Sequence, residues 1–116
     1  MAELTTIARP YAEAAFRIAH DANALPVWSE MLRFLSEVAT DPQAAAALDN
    51  PKRTSADKAA LLLTIAGERL DATGRNFVRV LVDADRVAVL PQIRALFEAL
   101  KNDADGVAKA RIDSAF

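Results

Sequence analysis

The side chains able to do chemistry at neutral pH are few and scattered in this sequence of 116 residues. The single histidine, His20, has Glu13 and Arg17 within two turns on a helix. A general base needs a nucleophile or substrate proton to act on and a partner to orient it. Neither accompanies His20, so it reads as an exposed surface residue. Asp83 and Asp85 stand two positions apart and diverge on a helix, so they make no paired-carboxylate site. There are no cysteines, which removes disulfides and thiolate metal sites, and no glycine-rich phosphate loop. No cofactor and no catalysis are expected. What remains is the chemistry of noncovalent contact, and one stretch concentrates it. In ARPYAEAAF, residues 8–16, five of nine positions are alanine or proline, set around the only tyrosine, Tyr11.

The elements that must position these residues are helices. Alanine fills 26 positions and glycine only three, with few β-branched clusters, which favours helix throughout. The first helix is expected from about Leu4 to Ala22 with a bend at Pro10, or else from Pro10 onward. Pro26 suits the first turn of a second helix. Its stripe is Trp28, Met31, Leu32, Leu35, Val38 and Ala39, with Ser29, Glu30, Arg33, Ser36 and Glu37 opposite. Asp41 caps a short third helix, which Asn50-Pro51 stops. Thr54 and Asp57 have capping-box spacing for a fourth, holding Leu61, Leu62, Ile65 and Ala66. Asp71 caps a fifth, roughly Ala72 to Asp85. Inside it, FVRVLV is strand-like by propensity, but no second strand exists to pair with it. The sixth carries Leu90, Ile93, Leu96, Phe97 and Leu100. After Gly106, GVAKARIDSAF alternates like a strand, which is either the beginning of a second domain or a frayed tail.

Two of these helices have more apolar circumference than a core needs. At 100° per residue, Ala14, Ile7, Ile18, Tyr11, Leu4, Ala15, Ala8, Ala19, Ala12 and Phe16 fill an arc of about 200°. A core-facing stripe needs little more than ~100°. On the fifth helix Val80, Ala84, Phe77, Leu81, Val78 and Val82 again span about 200°, with Asn76, Arg79 and Asp83 as the polar remainder. Either both helices are buried more deeply than usual, or the two arcs border one groove. Alanines on its floor would let another backbone approach closely, and a tyrosine at its lip would add area and a hydroxyl. Such a groove would accept an amphipathic helix.

At these residues the sequence resembles the N-terminal domain of the delta subunit of bacterial F-type ATP synthase, called OSCP in mitochondria. IARPYAEAAF is similar to the family's first helix. Trp28 resembles the aromatic opening its second helix, and Asn50-Pro51 with Lys58 resembles its asparagine-proline turn and the helix behind. Asn76-Phe77, Leu81 and Arg86 are similar to its fifth helix, LPQIRALF to its sixth, and KARIDSA to the linker into its second domain. The motifs cover essentially the whole chain in order.

The resemblance implies an all-α fold, a compact six-helix bundle over residues 1–105. Residues 106–116 would be a truncated linker, or the start of a missing C-terminal domain. It implies a non-catalytic peripheral-stalk (stator) subunit, without membrane insertion of its own, on the cytoplasmic face of the bacterial inner membrane. A groove between the first and fifth helices would take the N-terminal helix of an alpha subunit, and the missing domain would engage the b subunits. Carried over by position, the partner-binding candidates are Tyr11, Ala14, Ala15, Asn76, Val80 and Asp83. The competing function is a helical RNA-binding factor of the antitermination type. It needs clustered cations, whereas Lys52, Arg53 and Lys58 form only a modest basic spot in a chain of net charge −2. No nucleic acid is therefore expected as a partner.

Overall fold

Six helices in a bundle account for most of the chain in a computed structural model, which describes the backbone of residues 2–113 and the side chains of residues 4–104. They are α1 (Ala2–Asp21), α2 (Leu25–Thr40), α3 (Pro42–Leu48), α4 (Ser55–Ala66), α5 (Ala72–Asp83) and α6 (Leu90–Asp113). Single 3₁₀ turns at Gly67–Arg69 and Val87–Val89 lead into α5 and α6. No strand occurs among the described residues.

Local chemistry explains where the helices start. Asp41 accepts a hydrogen bond from the Ala44 amide at 3.0 Å and opens α3. Thr54 and Asp57 form the reciprocal capping box of α4, each side chain accepting from the other's backbone N–H. Asp71 accepts from the Gly74 amide and the Thr73 hydroxyl, both at 2.8 Å, and opens α5. Each cap satisfies donors that the first helical turn leaves without a partner. α1 begins at Ala2 and passes through Pro10, so the option of a helix starting at that proline is not taken. Proline has no N–H to donate, but the flanking turns sustain the helix.

Stops are equally local. Asn23 and Asp85 adopt left-handed backbone, φ 53° and 58°. Behind them, the Ala24 amide reaches the Ala19 carbonyl at 2.8 Å and the Arg86 amide the Leu81 carbonyl at 2.8 Å. This six-to-one closure requires a left-handed residue, which asparagine and aspartate tolerate better than most. It ends α5 at Asp83, two residues short of the sequence expectation.

Core packing follows the helical stripes with some exceptions. Trp28, Leu32, Leu35, Leu62, Val78, Leu81, Leu90, Ile93 and Phe97 are fully buried. Ser36, placed on the polar face of α2 by periodicity, is buried, while Ile65, one of the apolar residues named for α4, is exposed. α6 is the central post, packing most extensively against α1 and then α2. α4 packs chiefly on α5, and backbone approach between α1 and α5 is sparse.

The strand-like alternation after Gly106 is not realised through Asp113, because α6 continues across Gly106. Alanine, lysine and arginine are strong helix formers, and a lone strand has no ladder to join. Ser114, Ala115 and Phe116 lie outside the described residues.

Candidate partner-binding groove

The broad apolar arc of α1 is divided between two tasks. Ala8, Ala12, Ala15 and Ala19, at spacings of four, three and four, have no exposed surface at all. They form the ridge that α1 turns into the core. Small side chains there let helices approach closely. One edge of the arc stays outside. Ile7 and Tyr11 are half-buried, Ala14 is exposed, and Leu4 and Ile18 remain 38% and 42% exposed. These five repeat at three, four, three and four, a second stripe beside the first.

α5 mirrors the division. Phe77, Val78, Leu81 and Val82 are buried, whereas Val80 is 47% exposed. The two free edges meet across a cleft of about 560 Å³. α1 contributes Tyr11, Ala14 and Ile18 to its lining. α5 contributes Ala72, Thr73, Asn76, Phe77, Arg79 and Val80. The cleft exists because α1 leans on α6 and α5 leans on α4, leaving the two helices with little direct packing.

Four of the six residues singled out from sequence, Tyr11, Ala14, Asn76 and Val80, come together in this cleft. Ala15 does not. It lies on the inner ridge, 100° round the helix from Ala14, and the core seals it completely. Asp83 is exposed near the end of α5 but does not line the cleft. Ile18, Thr73 and Arg79 line it without having been singled out. Ile18 could have been found from its place beside Tyr11 in the apolar arc. Thr73 and Arg79 gave no such signal, because polar residues on a helix surface look alike in sequence.

Supporting contacts fix the walls. Phe77 is backed by Trp28, ring centroids 5.4 Å apart and nearly perpendicular, so that wall is anchored to the core. Gly74, in the first turn of α5, is buried where an added Cβ would lie 2.7 Å from the Met31 sulfur, so the tip of that α2 side chain packs onto the α5 backbone. Arg75 donates to the carbonyl of Gly67 and ties α5 to the preceding turn. The amide of Gly74, then the Thr73 hydroxyl, hold the Asp71 carboxyl below the usual carboxylate range.

The remaining sequence candidates are dispersed. His20 is exposed, with Asp21 at 3.7 Å and the Phe16 ring 5.7 Å away. Lys52 and Arg53 are exposed in the turn before α4, and Lys58 lines a small cavity together with Asp49 and Asp85. Among the described residues no helix is long and apolar enough to cross a membrane.

Fold and cleft together define an all-helical bundle carrying an open, largely apolar interhelical groove. Residues 7–116 match the family model of the ATP synthase delta (OSCP) subunit, and the chain belongs to that family. It is 46% identical over 115 residues to the ATP synthase subunit delta of Methylobacillus flagellatus, an overlap of 99% of this chain and 65% of that protein. It is 48% identical over 116 residues to the subunit delta of Aromatoleum aromaticum, across 100% of this chain and 65% of that one. With the subunit delta of Burkholderia cenocepacia it shares 48% identity over 118 residues, again covering 65% of the relative. The chain thus spans just under two thirds of the length of these relatives.

Proposed function

We propose that the chain is the helical docking module of a peripheral-stalk subunit of an F-type ATP synthase, and that the α1/α5 cleft receives the N-terminal helix of an alpha subunit. The observation that carries this reading is the cleft itself, with Tyr11, Ala14, Asn76 and Val80 gathered on two helices that otherwise barely meet. Family membership supplies the assembly in which such a cleft would work.

The task is mechanical. A rotor turning inside a catalytic head exerts torque on it, and a stator must hold the head still. In that setting this module sits on the head, and the part of the subunit beyond residue 105 leads to the b subunits of the stalk. The module binds and carries out no reaction of its own. Its location would be the cytoplasmic face of the membrane that houses the complex.

Each wall has a definable part in the binding. Tyr11 offers a large ring with a hydroxyl to an incoming apolar side chain. Ala14 keeps the floor low so that a guest backbone can settle near α1. Ile18 and Val80 provide apolar surface that a guest would remove from water. Asn76 and Thr73 can hydrogen-bond polar groups at the guest's edge. A contact of standard size buries roughly 1,200–2,000 Å² in total. Folding of the guest on docking subtracts about 2–5 kcal/mol from the gross interaction.

Calorimetric titration with the N-terminal peptide of the cognate alpha subunit tests the reading. Saturable one-to-one binding is expected, weakened at least tenfold by Tyr11→Ala or Val80→Asp with helical circular dichroism unchanged. Tyrosine is enriched among the interface residues whose truncation costs about 2 kcal/mol or more, and about 1.4 kcal/mol is already tenfold. Equal binding by those folded variants would remove the cleft from the interface.

A further inference from the structure

Among the residues lining the α1/α5 cleft, Thr73 and Asn76 are polar but neutral, and Arg79 alone is charged. Arg79 is exposed and forms no ion pair among the described residues. Its neighbour four positions on, Asp83, is at a spacing that permits pairing, yet the pair is not made. Only some arginines of the bundle are engaged. Arg33 is held by Glu30 at 2.7 Å and by Glu37 at 3.4 Å, and Arg75 by the Gly67 carbonyl. Arg79 is therefore the one charge lining a largely apolar cleft, beside the neutral Thr73 and Asn76, and it has no ion-pair partner among the described residues.

That arrangement has a consequence for any guest. A helix seated against Tyr11, Ile18 and Val80 excludes water from the cleft and lowers the dielectric around the guanidinium. A desolvated cation facing only apolar groups is penalised, and one facing a carboxylate is rewarded more than on open surface. The planar guanidinium also fixes the approach of a carboxylate, which a lysine would not. Position adds direction. Ala72 and Thr73 line one end of the cleft, and Arg79 and Val80 lie two turns further along α5, about 10 Å on. A guest shifted by a turn, or inserted backwards, carries its carboxylate away from the charge.

We propose that Arg79 determines specificity in the cleft: its guest is an amphipathic helix with one carboxylate on the edge of its apolar face, and the Arg79–carboxylate pair sets the register. This rests on the reading of the cleft as the site for an alpha-subunit N-terminal helix and names the chemistry by which that helix is chosen.

The test is a double-mutant cycle by calorimetry. Wild-type chain, Arg79→Gln and Arg79→Glu are each titrated with the parent alpha-subunit peptide. The same titrations use peptides in which each carboxylate in turn is changed to its amide. Because Arg79 is exposed, the variants should keep their helical signal. Arg79→Gln is expected to weaken the parent peptide about fivefold and to flatten its salt dependence, with Arg79→Glu weaker still. One amide peptide should lose the same factor against wild type and lose nothing further against Arg79→Gln. Replacing that carboxylate by lysine should restore binding to Arg79→Glu. If the parent peptide binds all three chains equally, or no single carboxylate couples to Arg79, the specificity role is overturned while the cleft reading survives. If the parent peptide does not bind the wild-type chain at all, the cleft reading falls and takes this inference with it.

Discussion

Alanines 14 and 15 of α1 are adjacent in sequence, but Ala14 is exposed on the cleft wall while Ala15 has no exposed surface. The same substitution should therefore do different things at the two positions. Ala15→Leu forces extra volume into a sealed ridge and should cost about 1–3 kcal/mol of stability in urea unfolding. Ala14→Leu should leave stability within about 0.5 kcal/mol and instead fill the cleft floor, weakening the alpha-subunit peptide in calorimetry. A destabilised Ala14→Leu with normal peptide binding would contradict this division. The sequence could not separate the two residues, because a 200° apolar arc does not say which of its edges the rest of the bundle covers. That is decided by where α6 lies, a tertiary fact. Arg79 was obscure for a related reason. Periodicity assigns a charged residue to solvent, and only the cleft shows that this particular charge lines a largely apolar groove.

Elements were more legible, because their ends are set by short-range chemistry. Asp41, Thr54 with Asp57, and Asp71 each stand where a side-chain oxygen can accept from the first turn, and each does so. Asp71 yields a pH prediction. Hydrogen bonds from the Gly74 amide and the Thr73 hydroxyl lower its folded-state pKa. A depressed carboxylate pKa contributes stability that is fully present above the unfolded value of about 3.9 and is lost as pH falls through the folded value. Asp71→Ala should cost about 1 kcal/mol near neutral pH, the usual worth of a helix N-cap. The gap from wild type should narrow as the pH is lowered through the acid range below 4. Urea titrations at several pH values decide it, and a gap that stays constant into strong acid would show that the carboxylate's charge is not what the cap uses. Ends that depend on a rare backbone state were harder to read. α5 stops at Asp83 because Asp85 turns left-handed, and nothing about an aspartate in sequence announces that. The alternation after Gly106 failed differently: period two is a strand signal only where a neighbouring strand can use it.

At the scale of the molecule, the cleft and the core are joined through one pair of rings. Phe77 lines the cleft with one face of its helix and meets Trp28 edge-on at 5.4 Å behind it. Trp28 is buried, and it is the only tryptophan in the chain. A guest that presses on Phe77 or displaces water from its edge changes the polarity and packing next to the indole without touching it. Intrinsic fluorescence should therefore shift in intensity or wavelength when an alpha-subunit peptide docks. The change should saturate at the stoichiometry found by calorimetry, with the same affinity. Val80→Asp should remove the fluorescence response and the binding heat together, because it acts at the cleft. A substitution outside the cleft lining, such as Lys52→Ala in the exposed turn before α4, should alter neither. If peptide binds with normal heat while Trp28 stays silent, the guest is not seated against Phe77 and the occupied surface lies elsewhere on the bundle. If fluorescence changes and Val80→Asp leaves it intact, the signal reaches the indole from another face, and α1 and α5 are not the walls that hold the guest.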